Sequence, residues 1–252
     1  VRQPTAEEEE MITYYMTLAG AAYCSSVISG GTWGLCTRCG DVRHTEILET
    51  FDTPIHDTNA MVLRDDKRKT IVAVFRGSAS LQNWAANLDA TLTNYPAGGR
   101  AHRGFYQSYE EVADSLTAVV LEQLEQYPDY SVATTGHSLG GATSLLCGLD
   151  LFQRGVPANK LSIHTAGAPR VGNKAFANYI VGTGIYYTRL TNKRDLIPHV
   201  PSTTMGFSHA GEEFWIRTGG SIQVCTADDG LESPDCANST PLFTNMADHL
   251  EY

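Results

Sequence analysis

The residues best suited to do chemistry lie in Gly136-His137-Ser138-Leu139-Gly140, where a serine stands between two glycines. This spacing is typical of a sharp turn from a strand into a helix, which holds the serine hydroxyl clear of the backbone. Glycine is needed there because a side chain would clash across so tight a bend. A strand-like run ends at Thr135 and a helical pattern begins after Ser138. The sequence therefore predicts a nucleophilic Ser138, against the plainer interpretation of a serine that caps a helix.

A serine hydroxyl is a weak nucleophile near neutral pH, so it needs a histidine base that is held in place by a carboxylate. When the serine lies on a strand-to-helix turn, the acid and then the histidine follow it along the chain. Asp195 is the best candidate acid, because it follows the predicted strand Ile185–Leu190 at the edge of the sheet where catalytic groups gather. The other later acids fit less well: Asp150 lies on the helix that leaves the turn, and Asp228, Asp229 and Asp235 lie in a polar loop between two cysteines.

Four histidines follow the serine along the chain. His164 lies inside a strand pattern, so we expect it to be packed or hydrogen-bonded. His199 and His209 share a loop with Asp195 and are candidate bases, although such histidines more often belong to turns or to the core. His249 lies in a late loop, after every predicted strand. Chain order therefore favours His249 over His199, but only moderately.

A second turn follows the predicted strand Thr70–Phe75 and passes through Gly77. In enzymes that use a serine on such a turn, one oxyanion-binding N–H comes from the residue after the nucleophile and another from a separate loop. These donors correspond to the backbone N–H groups of Leu139 and Ser78. A simple turn that ends a strand would have the same local sequence, so this alternative stays open.

Leu81, Trp84 and Leu88 recur at helical spacing directly after that turn. The plain interpretation is one face of a short helix packed on the core. Their position beside the predicted oxyanion-binding loop favours a different interpretation, in which a short amphipathic helix covers the site and exposes its apolar face when it moves.

The elements that would position these residues alternate between strands and helices. Thr5 and Glu8 form a capping box before a helical pattern, and Ala60–Leu63 and Thr70–Phe75 indicate a hairpin. The elements predicted after that are the helix Tyr109–Gln126, the strand Tyr130–Thr135, the helix Leu139–Gln153, the strand Lys160–Thr165, the helix Lys174–Val181 and the strand Ile185–Leu190. This alternation predicts one α/β domain over residues 1–252, with a mainly parallel central sheet and helices on both faces.

Composition limits the partners that the chain can bind. Its 252 residues include 18 Lys and Arg against 28 Asp and Glu, which gives a formal charge of −10. We expect no nucleic-acid partner, because phosphate contacts need clustered Lys and Arg. Hydrophobic residues make up 42% of the chain, which excludes disorder, and no apolar run approaches the roughly 20 residues of a transmembrane segment.

Six cysteines indicate an oxidising compartment. We favour structural disulfides in a secreted protein over a redox motif or half of a zinc site at Cys36-x-x-Cys39, because this pair lies in a glycine-rich loop and no second pair has matching spacing. Asn238-Ser239-Thr240 is a glycosylation sequon, which is consistent with secretion. No signal peptide precedes Val1, so we expect the mature form.

Together these residues resemble the filamentous-fungal triacylglycerol lipases of the Rhizomucor and Rhizopus type, within the class 3 lipase family. The matching segments are Thr13-Tyr14-Tyr15, Asp57-Thr58-Asn59-Ala60, Phe75-Arg76-Gly77-Ser78, Asn83-Trp84, His102-Arg103-Gly104-Phe105, Gly136–Gly141, Pro169-Arg170-Val171-Gly172, Arg194–His199 and Asp248-His249-Leu250. The resemblance implies an α/β-hydrolase fold and a triad of Ser138, Asp195 and His249, and it raises His249 well above His199.

The resemblance carries over further positions. It implies oxyanion donors at Ser78 and Leu139 and a lid at about residues 80–89 that bears Trp84. The residues that it suggests for an acyl-binding groove are Phe105, Ile197, Val200, Met205 and Leu250. The resemblance also implies two disulfide pairs, Cys36–Cys39 and Cys225–Cys236, and a buried Cys147.

Two departures from the family pattern affect these expectations. Relatives extend past the position of Tyr252 and end with a cysteine that pairs with the one at Cys24, so we expect a longer native chain. Gln82 and Asn87 are neutral where some relatives carry charged lid residues, so the extent of interfacial activation stays open.

We therefore expect a secreted, monomeric lipase that hydrolyses triacylglycerols at an oil–water interface without a cofactor or a metal. A feruloyl esterase or a phospholipase A1 on the same frame is the nearest alternative. A non-catalytic secreted binding module would explain the fold and the disulfides, but it gives no reason for a serine turn, an acid and a histidine to occur together.

Overall fold

The computed structural model describes residues 1–240 and 244–252. Within these residues the strands are, in chain order, β1 (Glu46–Asp52), β2 (Asn59–Asp65), β3 (Thr70–Phe75), β4 (Leu92–Asn94), β5 (Arg100–His102), β6 (Ser131–His137), β7 (Leu161–Ala166), β8 (Gly172–Asn173), β9 (Tyr186–Asn192), β10 (Phe207–Ser208), β11 (Glu212–Ile216) and β12 (Ile222–Cys225). The α-helices are α1 (Ala6–Ala21), α2 (Ser25–Ile28), α3 (Leu81–Ala86), α4 (Arg103–Gln126), α5 (Leu139–Gln153) and α6 (Lys174–Thr183). Short 3-10 helices lie at Gly40–His44, Ala158–Lys160, Ile197–His199, Thr203–Met205, Ala237–Ser239 and Ala247–Leu250.

Eight strands form the main sheet, in the order β1-β2-β3-β6-β7-β9-β11-β12. The central strands, from β3 to β11, run parallel to one another. Antiparallel strands flank them, since β2 pairs with β3, β1 with β2, and β12 with β11. The predicted hairpin and the mainly parallel sheet are both confirmed.

Alternate side chains of β3 enter two different cores. Ile71, Ala73 and Phe75 pack into the core that contains the inner faces of α4 and α5, whereas Val72 and Val74 pack with α1. Successive residues of a strand point to opposite faces of the sheet, so both faces are covered by helices, as expected. The capping box of α1 is also present, because Thr5 and Glu8 exchange side-chain and backbone hydrogen bonds.

The carboxyl ends of β3, β6, β7 and β9 meet at one edge of the sheet, which we call the carboxyl edge. The strand register fixes this, since Phe75 pairs with Gly136, and Ala166 pairs with both His137 and Leu190. The segments that leave these strands therefore begin side by side.

The structure differs from the sequence prediction at several elements, among them β1, β11 and β12, which were not predicted. A second sheet, in the order β10-β8-β5-β4, was missed because strands of two or three residues show no alternating pattern. Helix α4 begins at Arg103 rather than at Tyr109. The His102 imidazole caps this helix by accepting the Phe105 N–H over 3.2 Å, and histidine is not one of the residues that usually signal a helix start.

Two disulfides close short loops in the described part of the chain, between Cys36 and Cys39 and between Cys225 and Cys236. Cys147 is buried and Cys24 is partly exposed, and neither is disulfide-bonded. None of the helices described is both long and apolar enough to cross a membrane.

Candidate active site

Ser138 lies on a strained turn between β6 and α5, with φ 60° and ψ −126°. A positive φ is costly for any residue other than glycine and is found where function requires it. The glycines on either side allow the turn to close: a Cβ on Gly136 would collide with the Gly140 carbonyl oxygen, and one on Gly140 would collide with the Phe75 carbonyl oxygen. This is the geometry that the spacing of the two glycines predicts.

The structure brings Ser138, His249 and Asp195 into one hydrogen-bonded line. The Ser138 Oγ lies 2.8 Å from His249 Nε2, and His249 Nδ1 lies 2.8 Å from Asp195 Oδ2. Because the Asp195 carboxylate can only accept a hydrogen bond, Nδ1 carries the hydrogen and donates it to that bond. His249 Nε2 is therefore free to accept the serine proton. Asp195 is 2% exposed and His249 fully buried, so water does not compete for these bonds.

Tyr252 holds the carboxylate from a second side, which sequence reasoning missed. Its hydroxyl donates to Asp195 Oδ2 over 2.5 Å, and the Ile197 N–H donates to Asp195 Oδ1 over 2.9 Å. Burial, together with the Asp195 carboxylate, raises the pKa of the Tyr252 phenol well above its usual value, so the phenol keeps the proton that it donates. No local pattern signals this contact, since Tyr252 lies beyond the 3-10 helix Ala247–Leu250 and the aspartate is 57 positions earlier.

His137 packs against the His249 ring and is hydrogen-bonded to the His249 backbone. Its ring stacks on that of His249 with centroids 4.5 Å apart, its Nε2–H donates to the His249 carbonyl oxygen over 2.9 Å, and its Nδ1 accepts the Tyr23 hydroxyl over 2.7 Å. Burial and the neighbouring His249 lower the pKa of His137 to about 3. His137 is therefore neutral near pH 7 and places no positive charge beside His249.

Ser78 and Leu139, the expected oxyanion donors, lie on adjoining segments of the carboxyl edge. Phe75 in β3 pairs with Gly136 in β6. Ser78 lies three residues after Phe75, and Leu139 lies three residues after Gly136. The start of α5 packs so closely on the end of β3 that Gly140 has no room for a side chain. This adjacency is what two convergent backbone donors require.

The short helix α3 lies beside this edge, since Leu81 lines one cavity together with His249. Ser138 is fully buried. Leu81 and Trp84 are half-buried, while Gln82 and Asn83 are exposed, so the helix is amphipathic as expected. The Trp84 and Phe105 rings stack with centroids 6.1 Å apart. The predicted helix is too long by two residues, because α3 ends at Ala86 and Leu88 follows it as a half-buried residue of the next segment.

The residues suggested for an acyl-binding groove do not share one environment. Phe105 and Ile197 are buried, Val200 is half-buried, and Met205 and Leu250 are exposed. Leu250 lines a cavity of about 690 Å³ whose wall also contains His249, Leu81 and Arg38.

The rejected candidates have structural environments of their own. His164 is buried, lies 2.7 Å from Thr188 Oγ1 and stacks on Tyr15, so the expectation of a packed residue is confirmed. His209 is buried, with its Nε2 2.8 Å from the Pro198 carbonyl oxygen, and His199 Nε2 has no hydrogen-bond partner among the described residues. Asp150 accepts the Tyr109 hydroxyl.

The chain is similar to known lipases in sequence and in fold. Residues 72–205, more than half of the chain, match the family model described as Lipase (class 3). The chain is 51% identical over 258 residues to a lipase of Rhizomucor miehei, covering 100% of this chain and 70% of that protein. It is 45% identical over 258 residues to a lipase of Rhizopus niveus, covering 100% of this chain and 65% of that protein. A solved structure of Rhizomucor miehei triacylglyceride lipase superposes with a TM-score of 0.96 at 50% identity, covering 100% of this chain and 96% of that one.

Proposed function

Because this chain belongs to the class 3 lipase family, we propose that it is a lipase that hydrolyses the ester bonds of triacylglycerols at an oil–water interface. The observation that carries the proposal is the buried, hydrogen-bonded line of Ser138, His249 and Asp195. The amphipathic helix α3 supports it, since Leu81 shares a cavity wall with His249. Its fold is that of the α/β-hydrolases, with the serine on the turn after a central strand. We propose that the enzyme acts as a secreted monomer, and its two disulfides are typical of an oxidising compartment.

The chemistry follows from which atom holds each proton. His249 Nε2 takes the proton of Ser138 as Oγ attacks the ester carbonyl carbon, and Asp195 stabilises the imidazolium that forms. The Ser78 and Leu139 N–H groups stabilise the negative charge that develops on the carbonyl oxygen. His249 then gives its proton to the departing alcohol, which leaves Ser138 acylated. Water repeats the cycle on the acyl-enzyme and releases the carboxylic acid.

Helix α3 serves as the lid over this site. Ser138 is fully buried, so an ester reaches it only after a segment moves. None of the α3 residues is buried, and the Ser80 side chain does not cap the helix, so few contacts hold it in place. Transfer of Leu81, Trp84 and Leu88 from water to oil is worth at most about 5–9 kcal/mol, and about 5.5 kcal/mol reverses a 99:1 equilibrium. The apolar face favours lipid over an aromatic ester, for which a polar flap would suit better.

The test compares Ser138→Ala with Ser144→Ala, a matched control in helix α5, which begins directly after Ser138. Ser144 is equally buried, and its hydroxyl donates to the Gly141 carbonyl oxygen rather than to the triad. We expect Ser138→Ala to lose ester turnover to background and Ser144→Ala to keep it. Hydrolysis of a short-chain triglyceride should rise steeply once its concentration passes the solubility limit.

Three results would contradict the proposal in different parts. Substantial turnover by Ser138→Ala would show that Ser138 is not the nucleophile. A smooth saturation curve through the solubility limit would show that no lid responds to the interface. Faster hydrolysis of a feruloyl ester or of a phospholipid than of an emulsified triglyceride would change the substrate class.

A further inference from the structure

One buried side chain joins the strand that leads to the acid of the triad to the segment that carries the base. Asn192 is the last residue of β9 and is 1% exposed. Its Nδ2 donates to the Asp248 carbonyl oxygen over 3.0 Å and to the Glu251 carbonyl oxygen over 2.9 Å. These carbonyl groups lie on either side of His249 in the chain, so the amide spans the segment that presents the imidazole.

The chemistry of these contacts fixes the direction in which the Asn192 amide points. Backbone carbonyl oxygens only accept hydrogen bonds, so the amide atom that faces both of them is the nitrogen with its two hydrogens. The other end of the amide, Oδ1, is buried and has no hydrogen-bond partner among the described residues. A buried acceptor without a donor is costly and calls for an explanation. The side chain therefore acts through its two donors and not through its acceptor.

The backbone of Asn192 contacts the acid side of the triad. Its carbonyl oxygen accepts the Asp195 N–H over 2.9 Å, and its N–H donates to the Tyr252 hydroxyl oxygen over 3.1 Å. The Tyr252 hydroxyl in turn donates to the Asp195 carboxylate. One residue is thus bonded to the acid through its backbone and to the segment around the base through its side chain.

Other contacts of the base segment lie before His249 or at the surface. Before His249, the Asn245 N–H donates to the Arg194 carbonyl oxygen over 2.7 Å, and the Arg194 N–H donates to Asp248 Oδ2 over 3.1 Å. After His249, Lys193 pairs with the Glu251 carboxylate, but that side chain is 61% exposed, and water screens such a pair. The Asn192 amide is buried and bonds the backbone on both sides of the histidine.

We propose that Asn192 is a positioning residue for ester hydrolysis, whose amide holds the His249 ring in line with Asp195 and Ser138. This inference rests on the proposed lipase function and adds a residue outside the triad to it. Both hydrogen bonds of His249 within the triad measure 2.8 Å, and hydrogen bonds weaken steeply when they are misaligned. A shift of the base segment therefore slows proton transfer in the transition state.

The test replaces Asn192 with leucine, a branched side chain of similar shape that has no donor. We expect kcat on a water-soluble short-chain ester to fall on the order of 10- to 100-fold, because a displacement of about 1 Å costs on the order of 100-fold in rate. KM should stay within about 2-fold of the parent's, because the amide acts on the transition state and not on the bound ester.

Asn192→Ser provides a second variant should the leucine variant fail to fold. A serine hydroxyl has one hydrogen to donate, so it satisfies at most one of the two carbonyl oxygens. The kcat of this variant should lie between those of the parent and of Asn192→Leu.

Asn173→Ala is the matched control outside the triad. The Asn173 Oδ1 accepts the Arg100 N–H and the Phe176 N–H, each over 3.0 Å, so this variant also loses two hydrogen bonds between an asparagine and the backbone. Because Asn173 caps α6, its replacement should lower the Tm. Its kcat should stay within about 2-fold of the parent's, because destabilisation away from the site removes no transition-state contact.

Proton NMR gives a readout that needs no turnover. The Nδ1 hydrogen of His249 lies in a short bond to a buried carboxylate, so its signal should appear far downfield of the backbone amides in the parent and in Asn173→Ala. In Asn192→Leu and Asn192→Ser the signal should move upfield or broaden by exchange with water. A merely structural role of Asn192 would lower the Tm without moving this signal.

The outcomes separate the positioning role from the enzyme's function. A kcat near the parent's in Asn192→Leu or Asn192→Ser would overturn the proposal, and so would a fall in kcat with the Nδ1–H signal unchanged. An equal fall in Asn173→Ala would show that lost stability alone lowers the rate. Failure of the parent to hydrolyse any ester would contradict the lipase proposal instead, and the NMR comparison would still decide whether Asn192 positions His249.

Discussion

Gly167 lies against the carboxylate and the histidine of the triad in a backbone conformation that favours glycine. Its φ is 55°, and a Cβ built on it would lie 3.0 Å from each of Asp195 Oδ2, His249 Cε1 and Tyr252 Cε2. Gly167→Ala should therefore push the triad out of line. Because a displacement of about 1 Å costs on the order of 100-fold in rate, we expect kcat on a soluble ester to fall on the order of 10- to 100-fold.

Gly184→Ala separates the effect on the triad from backbone strain. Gly184 also has a positive φ, 72°, but no atom lies within 4 Å of the position of its Cβ. Both variants should lower the melting temperature, because both place alanine where φ is positive. Only Gly167→Ala should lower kcat, and equal kcat in the two variants would show that the contacts of Gly167 do not position the triad.

Some of these residues were predictable from the sequence and others were not. Ser138 stood in a local motif, and Asp195 and His249 came from chain order together with the family resemblance. Gly167 and Tyr252 act through proximity to residues distant in sequence, since the Tyr252 hydroxyl reaches an aspartate 57 positions earlier. No local pattern records such a contact.

The segment after Asp195 is held in place by a buried ion pair. Arg170 donates to both oxygens of Glu232, over 2.6 and 2.8 Å, and its Nη1 also donates to the Pro201 carbonyl oxygen over 3.0 Å. The Arg170 and Glu232 side chains are only 4% and 12% exposed. Removal of one partner from a buried pair leaves an uncompensated charge, which costs about 3–5 kcal/mol. We expect Glu232→Gln to lower the free energy of unfolding by about that amount.

A surface pair provides the comparison for Glu232→Gln. Lys69 and Asp129 lie 3.2 Å apart, with both side chains 64% exposed, so Asp129→Asn should change stability little because water screens the pair. Urea unfolding of both variants at pH 7 measures the difference. A Glu232→Gln variant as stable as Asp129→Asn would show that the buried pair does not anchor the segment.

At the scale of elements, the sequence predicted several helices and strands with repeating apolar patterns. It missed the shortest strands and also β1, β11 and β12. The hairpin β2–β3, the helix α5 and the strands β6, β7 and β9 follow periodic apolar patterns several residues long. The strands β8 and β10 contain only two residues each, which is too few for a period. Leu88 was placed on the lid helix because its spacing continued the pattern, but spacing does not reveal where the backbone stops being helical.

Five histidines with lowered pKa values influence the stability of the whole molecule. Burial lowers the pKa of His102, His137, His164, His199 and His209 below the usual value. For His137 and His164 the pKa falls to about 3, so both rings stay neutral in the folded protein under mildly acidic conditions. In the unfolded chain the same rings titrate near a pKa of about 6.5.

The sign of the pH effect follows from proton uptake. Between about pH 3 and 6.5, the unfolded chain binds protons at His137 and His164 and the folded protein does not. The free energy of unfolding should therefore fall as the pH drops from 6.5, at a rate of up to about 1.4 kcal/mol per pH unit for each such histidine. Above pH 6.5 both states are neutral and this contribution no longer changes with pH.

His164→Asn tests this effect without altering the active site, because His164 contacts Ser162 and Thr188 in the sheet rather than the triad. The variant should lose stability at pH 7 with the loss of these contacts, but its urea midpoint should depend less on pH between 6 and 5 than that of the parent. His56→Asn, which changes a surface histidine paired with Glu111, leaves the buried rings in place and should keep the parent's slope. Equal slopes in all three proteins would mean that His164 takes up a proton without unfolding, and the acid sensitivity of the molecule would then have to come from its carboxylates.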